Sequence, residues 1–473
     1  MSRPGVSTLS MEVFMSHVRP SALGLQSRRL LLGLALAGSA NVWAQAPSPA
    51  QASPAPALRL TLRQAIQTAL DQNPKVHLSL LAIAESGEDR KSAAAGLLPH
   101  VGAQAFAQRN KYSLDALMGM PQPHGPQLVG PFSWNQVGLE AEVTLFDLSL
   151  WKKWKASQHA EDSSRAQGRA VREEITALVV GQYLRALRAG ASIQAGQSRV
   201  ELAEALATLA QNQQKQGVGT KLDTLRAQVM LQTERQRLIQ AQTQQLTALA
   251  GLGRLLSLEP GTRIDLADTL QSPSLPTGGF QAAYQAGLAQ RPELAALAAR
   301  EQAADSLRQA AQGLRLPSLK ASGAYGSTVL QSEARATTYQ LTLGLRVPLY
   351  TGGLVSAQVA RAKSEQVRVQ EAQRDVKAQV GYEIQVAQAE LEAAAHEVEV
   401  ADLSVSLSTE ALSQARHRFE AGVSNNIELI NAQDELARAT DNQISALYRM
   451  NQSRADLARA TGQLETFYAL ASK

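Results

Sequence analysis

The chain has 473 residues and a formal net charge of +5, with 44% hydrophobic residues, only 4% aromatic residues and no cysteine. Scarce aromatics together with abundant alanine and glutamine favour long helices over a bulky globular core. The lack of cysteine excludes disulfides, thiolate metal sites and a lipid-accepting cysteine. Residues 1–46 carry four arginines against one glutamate, so the rest of the chain is nearly neutral and gives no argument for nucleic-acid binding.

The N-terminal segment has the order of a secretory signal. The basic pair Arg28-Arg29 precedes an apolar run that ends at Ala37, and small residues follow at a suitable cleavage position. The apolar run is too short to span a bilayer, which disfavours a membrane anchor. We predict a signal peptide over 1–46 and a proline- and alanine-rich linker over 47–60.

The first half of the chain predicts a helix, a pair of strands, a long helix and a further helix that follows a tight turn. We call this last helix the return helix, because it runs back along the long one. Thr61 is a predicted N-cap, and Leu98-Pro99 ends the first helical stretch. Apolar and polar residues then alternate, which is typical of strands with one apolar face. The predicted elements are helix 61–97, strands 101–109 and 134–146, helix 148–216, a turn at 217–220 and helix 221–256.

The second half repeats this order. Its long helix has apolar residues at Ile384, Leu391 and Val398, seven positions apart, with a parallel row of alanines. This heptad pattern predicts a coiled-coil seam between closely spaced helices. The predicted elements are helix 284–314, strands 319–329 and 338–350, helix 354–421, a turn at 422–425 and helix 426–464.

Fixed spacings indicate that the two halves arose by duplication. Pro74 and Pro292 lie 218 residues apart, whereas Gly217 and Gly422 lie 205 apart, and extra residues in the first hairpin loop account for the difference. The predicted divisions are a first repeat 61–270 with hairpin 101–146, a linker 271–282, a second repeat 283–465 with hairpin 319–350, and a tail 466–473.

The four long predicted strands suit a membrane barrel. Each has about the 9–11 residues that cross a bilayer when tilted, with alternating apolar and polar faces. Four strands cannot close a barrel, and barrels of this type have at least about eight. The chain is therefore expected to oligomerise, and three copies would supply twelve strands. A soluble sandwich edge is the alternative for these strands.

Several short motifs resemble those of the TolC-type outer membrane efflux protein family. The resemblance covers about residues 58–465 and rests on Leu60–Ala65, Asn73-Pro74, Leu98-Pro99, Val347–Gly353, Phe419–Val423, Tyr448 and Leu457–Gly462. It implies a mainly helical homotrimer with a twelve-stranded barrel in outer membrane lipid and a long coiled-coil tunnel in the periplasm. Such proteins are passive exit ducts, which a periplasmic adaptor and an inner-membrane ABC or RND pump engage. The resemblance implies neither an enzyme nor a cofactor.

The two turns between long and return helices are the expected gate and docking site, because they lie far from the strands. The predicted tunnel tips are Gly217, Val218, Gly219, Thr220, Gly422, Val423, Ser424 and Asn425. By analogy with the family, Asp223, Glu428 and Asn431 would form a selectivity ring just beyond them, and repeated carboxylates around an axis attract cations. A solvated helix face is the alternative for Asp223 and Glu428.

Polar residues of the strands are expected to line the barrel interior, namely Glu140, Glu142 and Arg346. Aromatic residues near the strand ends would form an interfacial girdle, namely Trp134, Phe146, Trp151, Trp154 and Tyr350. Lysines 152, 153 and 155 suit either a periplasmic collar or ordinary surface charge.

Two other classes of protein fit the sequence less well. The histidines show no metal-ligand spacing, and the chain has neither a phosphate-binding glycine loop nor a nucleophile elbow, so an enzyme is disfavoured. A periplasmic coiled-coil adaptor without a pore is the stronger alternative, although two hairpins with paired strands argue against it. Type I protein secretion and multidrug efflux are the expected functions, with the cargo left open.

Overall fold

A computed structural model describes residues 58–113, 128–272, 278–330, 334–421, 423–424 and 426–470. The helices are α1 Leu62–Gln72, α2 Pro74–Ala95, α3 Leu148–Lys215, α4 Lys221–Leu255, α5 Phe280–Gln290, α6 Pro292–Gly313, α7 Leu354–Glu420, α8 Asn426–Ala460 and α9 Leu464–Leu470. The strands are β1 Leu58–Leu60, β2 His100–Ser113, β3 Leu128–Phe146, β4 Ile264–Leu266, β5 Ser318–Leu330 and β6 Ala334–Arg346. The predicted signal peptide, most of the first linker and the predicted tip residues Gly422 and Asn425 lie outside the described residues.

Local sequence sets where the first helices begin and end. Thr61 caps α1 in a capping box with Gln64, so the predicted cap is confirmed. Asn73 ends α1 and caps α2, because Pro74 has no N–H to continue the first helix and is well suited to the first turn of the next. Asp147 caps α3 by accepting a 3.0 Å hydrogen bond from Leu150 N.

Two very long helices dominate the fold. Helix α3 has 68 residues and α7 has 67, so each is about 100 Å long at a rise of ~1.5 Å per residue. Helices α2 and α4 both pack on α3, while α6 and α8 both pack on α7. Each long helix therefore has two shorter helices of its own repeat packed along it. Helix α3 also packs on α6 and α8, which joins the two repeats.

The interior combines one compact cluster with small-residue seams. The cluster lies where α1, α3 and the end of α4 meet, and includes Ile175, Tyr183 and Leu252. Fully burying an aliphatic side chain of this size contributes roughly 1.5–3 kcal/mol. Along α7 the buried row alternates larger and smaller residues, as the heptad pattern predicts, and consists of Val380, Ile384, Ala387, Leu391, Ala394, Val398 and Ala401.

The four long strands form one antiparallel sheet in the order β2-β3-β5-β6. Adjacent residues of a strand point to opposite faces, and the pairing puts Leu139, Tyr325 and Tyr339 in one row. This face is apolar and exposed, with Tyr339 at 78% and Leu341 at 81% exposure. Strands β2 and β6 are the two edges of the sheet within the chain.

The structure contains elements that the sequence did not predict. Strand β1 lies at the end of the predicted linker and pairs in parallel with β4, and Leu464–Leu470 form α9 at the start of the predicted tail. The last strand was predicted to reach Tyr350 but ends at Arg346. Pro348 lacks the N–H that a strand pairing requires, which explains the earlier end.

Candidate functional site

The first predicted tunnel tip is a tight turn between α3 and α4. Gly217 has a φ of +77°, a left-handed backbone that favours glycine. Val218 N and Gly219 N donate to the Gln213 carbonyl at 3.0 and 3.1 Å, so this carbonyl at the end of α3 has hydrogen-bond donors within the turn. Val218 is 77% exposed. The turn thus presents an apolar side chain from a rigid backbone.

The second tip lies between α7 and α8 and has the same form in its described part. Val423 N donates to the Arg418 carbonyl at 3.0 Å, and Val423 is 68% exposed. Beneath it, Phe419, Leu429 and Ala432 form a buried cluster with Leu206 of α3. This cluster connects the base of the second tip to α3 of the first repeat.

Asp223 lies one turn into α4 and takes part in capping it. Thr220 Oγ1 donates to Asp223 Oδ2 at 2.5 Å, and Asp223 N donates to Thr220 Oγ1 at 3.2 Å. Arg226 lies 4.0 Å from the carboxylate, and the Asp223 side chain is 29% exposed. The Asp223 carboxylate therefore stabilises the turn at the start of α4.

Glu428 occupies the equivalent place in α8 and is also partnered. Ser424 Oγ donates to Glu428 Oε2 at 2.6 Å, and Arg418 Nε lies 3.2 Å from Oε1. The Glu428 side chain is 44% exposed. Asn431 is exposed and lines a groove between α7 and α8 with Ser404 and Ser408. The chain thus brings Glu428 together with a cation rather than leaving it as an isolated carboxylate.

The polar face of the sheet contains the predicted barrel-lining residues. The pairing puts Glu140, Glu142 and Lys320 on one face, and Arg346 lies on the same face opposite Ser318. Lys320 Nζ lies 2.6 Å from Glu142 Oε1. Lys320 was not singled out from the sequence, although its position in an alternating strand was visible there.

The predicted aromatic girdle is spread over different surroundings. Trp134 falls within β3 on the polar face, where it meets the ring of Phe106 edge-on at 6.1 Å. Trp151, at the start of α3, has Lys152 Nζ and Lys155 Nζ at 5.0 and 4.6 Å from its ring centre. Exposed Phe146 and Tyr350 lie close to the ends of β3 and β6. The interfacial girdle stays a prediction for these residues and for Trp154.

Asn73 and Arg291, which precede Pro74 and Pro292, bind the ends of other helices, a role that the sequence analysis did not predict. Asn73 Nδ2 donates to the Leu255 carbonyl at 2.8 Å, and Arg291 Nε donates to the Ala460 carbonyl at 2.9 Å. These carbonyls end the return helices α4 and α8. The repeat alignment already pairs Asn73 with Arg291, so the signal was present in the sequence.

Two further features bear on function. Among the described helices, none combines the length and hydropathy needed to span a bilayer. Within the described ranges, no group of three or more His, Cys, Asp or Glu side chains is arranged to hold a metal ion.

Comparison with known proteins places these features in a family. A sequence model of the family described as outer membrane efflux protein matches residues 65–257 and 283–463, which are nearly the two predicted repeats. Protein CyaE of Bordetella pertussis is 28% identical over 319 residues, covering 65% of this chain and 66% of CyaE. The alkaline protease secretion protein AprF of Pseudomonas aeruginosa is 24% identical over 340 residues, covering 70% of this chain and 68% of AprF.

A solved structure shares the fold. A membrane protein from Pseudomonas aeruginosa matches with a TM-score of 0.76 at 21% identity, covering 85% of this chain and 93% of that protein. The predicted fold class is thereby confirmed, and the family match sets aside the periplasmic adaptor. The chain belongs to the outer membrane efflux protein family.

Proposed function

We propose that three copies of this chain assemble into an exit duct that extends from the outer membrane into the periplasm. The duct passes substrate passively from an inner-membrane pump and a periplasmic adaptor to the outside. In this assembly the sheets join into a twelve-stranded barrel and the helices into a tunnel.

The observation that carries the proposal is an apolar row on the outer edge of the helical layer. Val400, Leu403 and Leu407 of α7 are each more than 60% exposed, although they recur at the three- and four-residue spacing of a coiled-coil seam. On α4, at the opposite edge, Leu225, Val229, Ile239 and Leu246 are also exposed, and their gaps of four, ten and seven residues place them on one heptad stripe. Two complementary seams at opposite edges suit head-to-tail joining of identical chains, which closes into a ring.

The sheet supports the same arrangement. Strands β2 and β6 would each leave a row of backbone N–H and C=O groups unpaired at the edge of a lone sheet, which is unfavourable in lipid. Pairing β2 of one copy with β6 of the next removes both edges. The exposed apolar face then meets lipid, and Glu140, Glu142, Lys320 and Arg346 line the interior.

The tips are proposed as the docking site for the adaptor. Val218 and Val423 are exposed apolar side chains on turns that backbone hydrogen bonds hold in place. Exposed apolar groups of this kind suit a contact with another protein. Asp223, Glu428 and Asn431 would lie just inside the opening. The name of AprF refers to secretion of a protease, which favours an exported protein as cargo over a drug.

Engineered cysteines test the assembly, because the natural chain has none. Ile239 and Leu403 lie at similar distances from their respective tips and on opposite edges. A chain with Ile239→Cys and Leu403→Cys, treated in membranes with a short bismaleimide, should give covalent dimers and trimers. Either single variant, or Ile239→Cys with Thr409→Cys, should give far less, because exposed Thr409 lies on another side of α7 from Leu403 and Leu407. Only monomer from the first pair would contradict the proposed trimer.

A further inference from the structure

The second repeat has an open groove at a place where the first repeat has part of its core. The groove has a volume of about 590 Å³ and lies between α5, α7 and α8, beside α9. Its apolar lining consists of Phe280, Ala283, Ala286, Leu391, Leu457, Ala458 and Phe467. A concave site of this size, with mainly apolar walls and a few polar groups, is the usual form of a small-molecule site.

The start of the first helix of each repeat shows one side chain that the groove lacks. Thr61 caps α1 and Gly279 caps α5, so Leu60 and Gly278 hold equivalent places just before these caps. Leu60 is 6% exposed and belongs to the cluster at the end of α4. Gly278 lines the groove, and a Cβ there would have no atom within 4 Å. The space that a leucine fills in the first repeat is therefore open in the second.

The long helices show a second difference of the same kind. The spacing of 205 residues between Gly217 and Gly422 also relates Tyr183 of α3 to Gln388 of α7. Tyr183 is fully buried and donates a 3.0 Å hydrogen bond to the Leu60 carbonyl. Gln388 is smaller, only half-buried, and lines the groove. Two large side chains of the first core are thus replaced by a glycine and an amide.

The second repeat also places a cation in this groove. Arg454 of α8 lines it, and the same spacing aligns this residue with Leu249 of α4. The guanidinium lies 4.7 Å from the ring centre of Phe467. Its Nε is buried, whereas the two terminal nitrogens keep accessible surface. Within the described ranges no carboxylate pairs with Arg454, although Arg449 on the same helix pairs with Glu397 at 2.8 Å.

We infer that this groove binds a small amphipathic monocarboxylate with an aromatic or aliphatic body. The carboxylate would accept hydrogen bonds from the terminal nitrogens of Arg454, and hydrogen bonds between two charged groups are about twice as strong as neutral ones. The apolar body would lie against Phe280, Leu391 and Leu457. Glu392 is exposed and also lines the groove, so its charge disfavours a ligand with several negative charges.

The inference stands apart from the proposed export function. All the residues used belong to one chain, and none lies at a tip, in the sheet or on the apolar rows of α4 and α7. A failure of export or of trimer assembly would therefore not decide it.

The test titrates 4-fluoro-1-naphthoate into the full-length protein in neutral detergent at pH 7. Fluorine NMR measures binding, and micelles without protein give the background. Binding should saturate, and the neutral 4-fluoro-1-naphthamide should bind at least tenfold more weakly. Arg454→Gln should weaken binding of the naphthoate at least tenfold. Arg449→Gln, the same change on α8 outside the groove lining, should leave binding unchanged.

Gly278→Leu provides a second variant, since it supplies the side chain that Leu60 supplies in the first repeat and keeps Arg454 intact. It should lose binding, whereas Gly344→Leu, at an equally open glycine of β6, should bind like the natural chain. Far-UV circular dichroism checks that each variant is folded. The inference is overturned if binding does not saturate, if the naphthoate and the naphthamide bind equally, or if Arg454→Gln or Gly278→Leu binds like the natural chain.

Discussion

The two long helices come from one duplication and yet have different surroundings. Helix α3 packs on α2, α4, α6 and α8, and most of its faces are covered by the same chain. Helix α7 packs mainly on α6 and α8, and its far side exposes Val400, Leu403 and Leu407. The two repeats have the same order of elements, so this difference lies in which helices pack against each long helix. The second helix retains an apolar seam whose partner must come from another copy.

The return helices show a second contrast. Both end with a left-handed residue, Ser257 with a φ of +56° and Gly462 with a φ of +71°. Both have their last carbonyl bound by the side chain before a proline, Asn73 in one repeat and Arg291 in the other. The second repeat adds an ion pair between Arg291 and Glu383. At the end of the first return helix, a strained Ser257 is combined with the neutral amide of Asn73. At the end of the second, Gly462 is combined with the charged side chain of Arg291.

The largest expected effect concerns the exposed seam of α7. Leu403→Arg combined with Leu407→Arg should abolish oligomers, because six charges would enter the three apolar contacts of a trimer. Thr409→Arg with Ser413→Arg, at exposed positions on another side of the same helix, should leave assembly intact. Native gel electrophoresis of membrane extracts measures both. Unaltered oligomers in the leucine variant would show that this seam is not an interface.

The tips should affect export without affecting assembly. Val423→Asp places a charge on the exposed second tip and should reduce adaptor-dependent export at least tenfold, because docking would desolvate the carboxylate. Val218→Asp makes the matched change at the first tip and shows whether both turns contact the adaptor. Export is measured as cargo released into the medium, with trimer content as the control. Normal export from both variants would remove the tips from the docking site.

The charged joint of the second repeat should stabilise it in a pH-dependent manner. Arg291→Gln should lower the free energy of unfolding by roughly 1.5–3 kcal/mol, since hydrogen bonds to charged groups have about this value. Burial alone would raise the pKa of Glu383, but hydrogen bonds from Gln379 and Arg291 bring it below its usual value.

Because that pKa is lower in the folded state, the pair contributes fully above the unfolded value of about 4.3 and loses its contribution as pH falls through the folded pKa. Denaturant unfolding at pH 7 and at successively lower pH should therefore show the gap between natural chain and Arg291→Gln narrowing below about pH 4. A gap that stays constant across this range would argue against the ion pair.

Exchanging the two left-handed residues should move stability in opposite directions. Gly462→Ser should destabilise by about 1–2 kcal/mol from backbone strain alone, and a Cβ there would also lie 2.9 Å from Arg291 N. Ser257→Gly should stabilise by up to about 1 kcal/mol, because it relieves the same strain. Thermal unfolding in detergent measures both, and shifts of the same sign would contradict the comparison.

The smallest expected effect concerns ion selectivity. Glu428→Gln should lower cation preference in planar bilayers only modestly, because Arg418 already offsets the carboxylate at 3.2 Å. Arg418→Gln should raise cation preference, since it removes a positive charge beside the carboxylate. Identical ion preference in the natural chain and both variants would remove Glu428 from the proposed ring and leave it as part of the turn.

Much of the fold was predictable because its signals are periodic. The heptads of α7 and the alternation in β3 and β6 predict the element types, and the repeat spacing predicts their order. Strand β1 was missed because three residues carry no periodicity, and its partner β4 lies about two hundred residues away. The end of β6 was misplaced because the alternation continues through Pro348, where the hydrogen bonding stops.

The candidate site was predictable in position but less so in chemistry. Glycines identified the turns between the helices, and the repeat located Asp223 and Glu428 at equivalent places. That Glu428 pairs with Arg418 was not visible, because the two residues are ten positions apart on different helices.

Native mass spectrometry of the mature protein extracted from membranes in detergent tests the central claim most directly. The proposed duct predicts a species with three times the mass of one chain, and its loss in the Leu403→Arg and Leu407→Arg variant. A uniform monomer that stays folded and soluble in buffer without detergent would contradict it.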